Sequence, residues 1–527
     1  MFIRYFHTLR HLKFTQVYYQ LYYKLRKIFR KYSGYKMRFN KYKLGHRLEI
    51  NSATPPAYES YSFKEGKHSF GFLNLNHSFE KIDWDFASYG KLWTYNLNYF
   101  DFLNQPSLTK EQGLTLMNDF IPQLPKLKNA NEPYPISLRG INWIKFLSKH
   151  NISDKTIDTS LYSQYLILLD NLEYHLLGNH LLENGYALYI GGCYFKDEFL
   201  LTEGFRIIQN ELKEQILEDG GHFELSVMYH QILLSRLLDC FAFSSKEKHK
   251  KIFDDYIQKM LRWQDLMTKN INGIPLLNDA AKNIAPTKEQ LNDYAAALNI
   301  HWRWGSPKLS ASGYRTVHFN DSTLIFDVGK IGPNYIPGHA HADIFNFVLY
   351  DNEEPLIVDT GISTYEKNER RQTERSTSSH NTVEINGKNQ IDVWGGFRVG
   401  KRAKITLLKD SLRETVASHN GYKSEGAIHQ RSFTIEPIEE TRFIIQDSII
   451  GKHCSAKAYI HFHPSCKIEL EKDLIKVKNW TIQITNAKKL YLQKFTYSEE
   501  YNKLSESTMA VVEFEGSLQT SFKKVTQ

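Results

Sequence analysis

Cysteine is scarce in this chain: four in 527 residues, Cys193, Cys240, Cys454 and Cys466, far apart and with no Cys-x-x-Cys pair. That spacing excludes a disulfide framework and a cysteine-based zinc site, and it fits a reducing compartment. Long apolar runs are missing too. No stretch is apolar enough to span a bilayer, and none pairs an apolar core with a small-residue cleavage site. Acid is absent from one place where it would be ordinary. The stretch "MFIRYFHTLRHLKFTQVYYQLYYKLRKIFRKYSGYKMRFNKYK" carries many Lys and Arg and no Asp or Glu. It reads as a basic, aromatic, amphipathic segment over residues 1–45. Two placements follow: peripheral contact with a membrane surface, or docking on the chain's own domain.

The rest is a folded protein by composition, 41% hydrophobic and 24% charged, and too long for a single core. Aromatic residues reach 14%, with 32 Tyr, 32 Phe and 8 Trp. Rings in such number serve core packing first and carbohydrate clefts second. The net charge of +9 suits a polyanionic partner: nucleic acid, anionic lipid or acidic polysaccharide. No nucleic-acid-binding module is recognisable, so no nucleic-acid partner is expected.

Hydrophobic periodicity divides the chain. Up to about residue 300 it is helical: in "TSLYSQYLILLDNLEYHLLGNH", Leu161, Tyr165, Leu168 and Leu172 recur at helical spacing. Thr159 or Ser160 is expected to cap that helix and Gly178 to close it. "HLLENGYALYIGGCYF", "HQILLSRLLDCFAF" and "HKKIFDDYIQKMLRWQDLM" read as further helices, an array of α-hairpins. From about residue 312 the period becomes two. "CSAKAYIHFHP" and "KIELEKDLIKVKNWTIQITN" read as short antiparallel strands of a sandwich. The expected order is a helical domain over 46–308 and a β-sandwich over 309–527.

Three clusters carry candidate chemistry. "GNHLLENGYAL" sets Asn179, His180, Glu183 and Asn184 at a helix junction, where donors can meet an anion or simply cap. "EDGGHFELSVMYH" places Glu224, Tyr229 and His230 after a Gly-Gly break; Tyr229 is a candidate proton carrier. "PGHAHADIFNFVLYDNEEPLIVDTG" puts His339, His341 and Asp343 at alternate positions, with Asp359 downstream and His380 in "RSTSSHNTVEING". His and Asp side chains so grouped fit a zinc site. The same His-x-His spacing in "IHFHP" reads as a solvated strand face.

At these words, and at "YPISLRGINWIKF" and "LWTYNLNYFDFL", the sequence resembles the heparinase II/III-like polysaccharide lyases, in the family's order and over most of the chain. The resemblance implies an α+β multidomain fold, an incomplete α/α toroid followed by antiparallel β-sandwich sheets. It implies β-elimination at a uronic acid of an anionic polysaccharide. Asn179 would hold the sugar carboxylate, with His180 beside it. Tyr229 and His339 would carry the protons, with the choice of base left open. Arg139, Glu183 and Arg375 would be substrate-facing. His341, Asp359 and His380 would bind a structural zinc ion bracing the loop of the catalytic histidine. Because no export signal is legible, a cytoplasmic or membrane-peripheral placement is expected over a periplasmic one, beside capsule or exopolysaccharide metabolism. The alternative is an acidic-glycan-binding protein that retains the fold without the reaction.

Overall fold

The computed structural model describes residues 2–302, 309–319, 321–436 and 441–525. Two helices open it, α1 (Phe2–Leu9) and α2 (Phe14–Tyr32). Strands β1 (Tyr61–Lys64), β2 (Lys67–Phe72) and β3 (Leu75–Phe79) follow as an antiparallel sheet. Helical periodicity did not reveal this sheet. Its turns sit at Glu65–Gly66 and Leu73–Asn74, all four at positive φ. Tyr61, Phe70, Phe72 and Phe79 pin it to the helical core.

The helical domain continues through α3 (Lys91–Tyr99), α4 (Lys110–Phe120), α5 (Pro133–Lys149), α6 (Lys155–Asp170), α7 (Gly178–Phe195), α8 (Glu198–Gln215), α9 (Val227–Phe243), α10 (Glu247–Met267) and α11 (Lys288–Ala297). Helix α6 starts earlier than its apolar pattern suggests. Asp154 caps it, accepting from Thr156 and Ile157 backbone N–H groups at 2.7 and 2.9 Å. Gly178 does not close a helix; it opens α7, the central helix, which packs on α5, α8 and α9. The α7–α8 approach depends on bare backbone: a Cβ on Gly204 would lie 2.4 Å from the Tyr189 nitrogen. In α10 the buried residues Phe253, Ile257, Met260, Leu261 and Gln264 share one face, and burial widens toward the C-terminal end, where Trp263, Asp265 and Met267 are buried too.

The β domain comprises β4 (Tyr314–His318), β5 (Ser322–Asp327), β6 (Phe347–Asp351), β7 (Glu354–Ile357), the short helix α12 (Glu369–Glu374), β8 (Val383–Ile385), β9 (Val393–Trp394), β10 (Arg398–Val399), β11 (Ile405–Asp410), β12 (Glu414–His419), β13 (Ala427–Ile435), β14 (Arg442–Gly451), β15 (Ala456–His461), β16 (Ile468–Glu471), β17 (Leu474–Val477), β18 (Trp480–Thr485), β19 (Lys489–Glu500), β20 (Lys503–Phe514) and β21 (Ser517–Lys524). One face is an eight-stranded sheet, β11-β12-β13-β14-β21-β18-β17-β16. Opposite it lie β4-β5-β6-β7 and β19-β20-β15-β8, joined by a bridge between Ile357 and Phe462. Alternation builds the shared core: Phe326 stacks on Phe433 at 4.0 Å, and Phe347 meets Phe522 edge-on. The expected domain boundary at 308/309 falls at residues 303–308, which lie outside the described residues.

The domains are locked together by a third apolar cluster drawn from both, including Leu225, Met228, Trp263, Leu276, Tyr314, Ile325, Val358 and Tyr497. Polar clasps flank it. Ser312 donates to Asp219 Oδ2 from both N and Oγ, and the Tyr314 hydroxyl donates to the Leu225 carbonyl at 2.7 Å.

The basic N-terminal segment lies on the chain's own body. Arg4 pairs with Asp392 of the β domain, Gln16 donates to the Leu176 carbonyl, and Arg26 and Arg30 converge on Asp170 at the end of α6. The segment thus straps one domain to the other.

Candidate functional site

A cleft of about 2210 Å³ runs between the domains beneath this strap. That volume exceeds a small-molecule pocket and suits a chain ligand. Asn179, His180, Tyr229 and His339 all line it, together with Glu224, Arg236, Tyr134 and Tyr365.

Asn179 and His180 owe their position to a strained entry into α7. Leu177 has φ 65° and ψ −156°, a region that side chains avoid, and Gly178 follows at φ 60°. Such a conformation costs roughly 1–3 kcal/mol and persists where packing enforces it. It turns the first helical turn toward the cleft. The Asn179 amide donates to both carboxylate oxygens of Glu224, at 3.1 and 2.8 Å. His180 shares a 3.0 Å hydrogen bond through Nδ1 with Glu173 and lies beside the Tyr134 ring. Burial alone would lower its pKa, but Glu173, with Glu224 and Glu183, holds it above the usual histidine value. Glu173 is in turn fixed by the Asn184 amide at 3.0 Å. The glutamates thus favour the cationic form of His180, whose side chain is 34% exposed at the cleft.

Tyr229 stands in the first turn of α9, which Ser226 caps while also donating to the Asp279 carbonyl. Its hydroxyl is 3.2 Å from that of Tyr365, and its ring lies 4.1 Å from the His339 ring. The rings come from different domains, so the pair exists only when both are docked. Burial raises the Tyr229 phenol pKa, reinforced by Asp279 and Glu224 against the opposing pull of Tyr365 and Arg371, so the phenol stays protonated.

The segment carrying His339 and His341 is not a strand. Phe345 sits at φ 68°, and β6 begins only at Phe347, three residues past Ile344, so alternation does not apply. The two imidazoles grip one carboxylate from two sides. His339 Nδ1 is 2.8 Å from Asp279 Oδ2, and His341 Nε2 is 2.9 Å from Oδ1. Arg371 completes a fork on the same group at 2.5 and 2.7 Å. Although burial alone would raise the Asp279 pKa, Arg371 and the two histidines hold it well below the carboxylate range. Asp279 is an anionic hub that fixes the His339 ring and leaves Nε2 facing Glu224 at 3.8 Å. Asp279, Arg371, Tyr365 and Glu173 were not singled out in the sequence. Asp279 sits in "LLNDAAKN", between helices, where no spacing marks it.

Three of the expected substrate-facing residues lie outside the cleft. Arg139 is fully buried, bonded to the Gln164 side chain and the Asn98 and Ala130 carbonyls, so it ties helices together. Arg375 donates to the Ala340 carbonyl from Nε and Nη2 and to the Gly396 carbonyl from Nη1. It clamps the loop between His339 and His341 and is spent on backbone. Glu183 is buried with no hydrogen-bond partner for either oxygen, and burial pushes its pKa to about 7. Its nearest cation is Arg236, at 3.7 Å. Arg236 is the arginine of this region that reaches the cleft. It lines the cleft, makes no hydrogen bond among the described residues, and has its nearest carboxylate oxygens at 3.7 and 3.9 Å.

The expected zinc ligands form a buried cluster behind the cleft. His380 Nδ1 is 2.7 Å from Asp359 Oδ2, which also accepts from Asn346, and the His341 and His380 rings are 5.2 Å apart. His341 Nδ1 and His380 Nε2 are buried without a partner. Two imidazoles, each oriented by a carboxylate and each with a bare nitrogen, are the donor type zinc takes. Among the described residues, no three His, Cys, Asp or Glu side chains are disposed around one point as an ion requires. Here Asp359 orients His380 instead of standing as a third donor. His461 of "IHFHP" is no solvated face: it is fully buried, with Nδ1 on the Asn381 carboxamide and Nε2 unpartnered.

Comparison with known proteins agrees with this architecture. Residues 137–300 match the family model "Heparinase II/III N-terminus", and residues 303–524 match "Heparinase II/III-like, C-terminal". A heparin-sulfate lyase of Bacteroides stercoris is 26% identical over 55% of this chain and 46% of its own length. One from Bacteroides thetaiotaomicron is 23% identical over 58% and 49%. The matches thus span about half the length of these relatives. Among solved structures, Heparinase III superposes with TM-score 0.67 at 15% identity, covering 85% of this chain and 80% of that one. Heparan sulfate lyase HepC from Pedobacter heparinus gives 0.55 at 17%, over 85% and 79%. With a helical toroid and a β-sandwich matched in order and across most of its length, the chain belongs to the heparinase II/III-like family.

Proposed function

We propose that the protein is a polysaccharide lyase that cleaves a uronic-acid-containing anionic polysaccharide by β-elimination. The observation that carries this reading is the Tyr229–His339 pair, 4.1 Å apart across the domain junction and oriented from behind by Asp279. β-Elimination needs a base at C5, an acid at O4 and positive character at the carboxylate whose charge spreads as C5 loses its proton. His339, its Nδ1 fixed by Asp279, offers Nε2 to take the C5 proton. The C5–H electrons form the C4–C5 double bond as the C4–O4 bond breaks. Tyr229, whose phenol stays protonated, delivers its proton to O4. Cationic His180, with Asn179, meets the sugar carboxylate, and Arg236 meets a second anionic group along the chain. Arg139, Glu183 and Arg375 support these parts from within the body.

A zinc ion at the His341–Asp359–His380 cluster is part of the proposal, taken by the bare nitrogens His341 Nδ1 and His380 Nε2 with Asp359 orienting His380. It would brace the loop carrying His339 and supply no step. The heparin-sulfate lyases among the relatives put a glycosaminoglycan first among candidate substrates, and capsule or exopolysaccharide metabolism is the setting we propose.

The test is ultraviolet absorbance of unsaturated uronide products on a panel of uronic acid polymers. Product is expected with the native chain and its loss with Tyr229→Phe and with His339→Ala. Tight binding without product on every polymer would replace the lyase by a glycan-binding protein.

A further inference from the structure

Helix α2 is amphipathic, but it is mounted the wrong way round for a soluble protein. Its inward face is polar and aromatic at helical spacing: Gln16, Tyr19, Tyr23, Arg26 and Arg30. Gln16 and Tyr23 bond the Leu176 and Leu172 carbonyls, Tyr19 stacks on Tyr174 at 4.7 Å, and both arginines hold Asp170. Its outward face is apolar. Phe14 is 83% exposed, Leu25 66%, Phe29 71% and Tyr32 83%, with Leu21 and Ile28 in the same stripe. This is a patch and not the usual scatter. Of 28 large apolar side chains exposed among the described residues, 16 fall between Tyr5 and Leu44.

The charges beside the stripe have one sign. Lys24, Lys27 and Lys31 are exposed and make no ion pair among the described residues, and the first acid of the chain is Glu49. We infer that α2 docks on the surface of an anionic phospholipid bilayer, its apolar stripe sunk among the acyl chains and its lysines at the headgroups. A 19-residue helix gives a stripe about 28 Å long, ample for an interfacial helix. Gln16 and Gln20 of the same helix line the cleft, so docking would hold the cleft beside the lipid surface. The inference does not depend on the lyase reading.

The test is sedimentation of the full chain with vesicles of phosphatidylcholine, with and without phosphatidylglycerol. Pelleting is expected with the anionic vesicles and a decline with added salt. Leu21→Glu/Leu25→Glu/Phe29→Glu is expected to lower partitioning more than tenfold. Each exposed lysine is worth roughly fivefold at an anionic surface, so Lys24→Gln/Lys27→Gln/Lys31→Gln should lower it by about a hundredfold. That variant disturbs no packed side chain and serves if the first fails to melt cooperatively. A native chain that stays in the supernatant with anionic vesicles overturns the inference. So does a lipid-free dimer that the Glu variant disperses, which would make the stripe a contact between copies.

Discussion

Replacing Asp279 by Asn tests the proposed mechanism at its least visible point. The carboxylate is fully buried and receives four charge-assisted contacts, two from Arg371 and one each from His339 and His341. An Asn has the same shape but only one accepting oxygen. Whichever way it turns, its amide nitrogen faces one arm of Arg371 and one histidine, so two of the four contacts become donor against donor. Arg371, 1% exposed, is left as an uncompensated buried charge. Breaking a buried pair from one side costs about 3–5 kcal/mol. The His339 ring also loses the group that fixes its tautomer, and the comparable change in a serine-protease triad lowers kcat by about 10⁴. Asp279→Asn is therefore expected to lower kcat by a factor of order 10²–10⁴ with KM little changed, since Asp279 is not part of the cleft wall. Uronide absorbance measures the first effect and a calorimetric or dichroism melt the second. Asp279→Leu/Arg371→Leu separates them: an apolar pair should recover much of the stability and none of the activity. An Asp279→Asn enzyme that melts earlier yet turns over at the native rate would refute the positioning role.

Three further outcomes follow from the same geometry. Arg236→Ala is expected to raise KM for a polyanionic substrate about 10- to 150-fold, the worth of one charge-assisted hydrogen bond, with Arg236→Lys intermediate; steady-state kinetics on the best polymer of the panel decide it. His180 has a raised pKa in the folded state, so its cation and the stability it lends are complete below the unfolded value and fade as pH rises through the folded one. Glu173→Gln removes the main cause, so the KM of the variant should match the native value at low pH and climb away from it at a lower pH than in the native enzyme. Chelation is expected to lower the melting temperature if zinc occupies the His341–Asp359–His380 cluster, and elemental analysis should then find about one zinc per chain, lost in His380→Ala.

What was legible in the sequence is what repeats. The change of hydrophobic period near residue 312 marks the join of helices and strands because burial on a toroid and on a sandwich has different geometry. Asn179, His180, Tyr229 and His339 were legible as clusters at chain breaks, and the structure brings all four to one cleft. Partners were not legible. Arg139 and Arg375 look like sugar ligands because arginine suits anions, but backbone carbonyls suit it too, and sequence does not say which it meets. Arg236, in the run "LSRLLDCF", looks like one charge on an apolar helix. Only folding shows that Glu183 and Asp239 flank its guanidinium at 3.7 and 3.9 Å, as ion partners without a hydrogen bond. Alternation also misled at His339 and His341, because a positive-φ residue, Phe345, breaks the strand geometry on which it rests.

Placing the proposed reacting pair on two domains makes the interface part of the proposed chemistry. Tyr229 rides on α9 and His339 on the loop before β6, and their separation is set by the apolar cluster that contains Leu225, Met228, Tyr314 and Val348. Asp279 ties the halves a second time, since it belongs to the connection between α10 and α11 yet holds two histidines and an arginine of the β domain. A cavity opened at Met228 or Val348 should therefore act on turnover as well as on stability. Loosening the junction by even an ångström would spoil the proposed proton relay, whose two adjacent members must reach one sugar ring together. A core cavity of equal cost inside the sandwich, at Phe433 or Phe522, should lower the melting temperature and leave kcat near its native value while the protein stays folded.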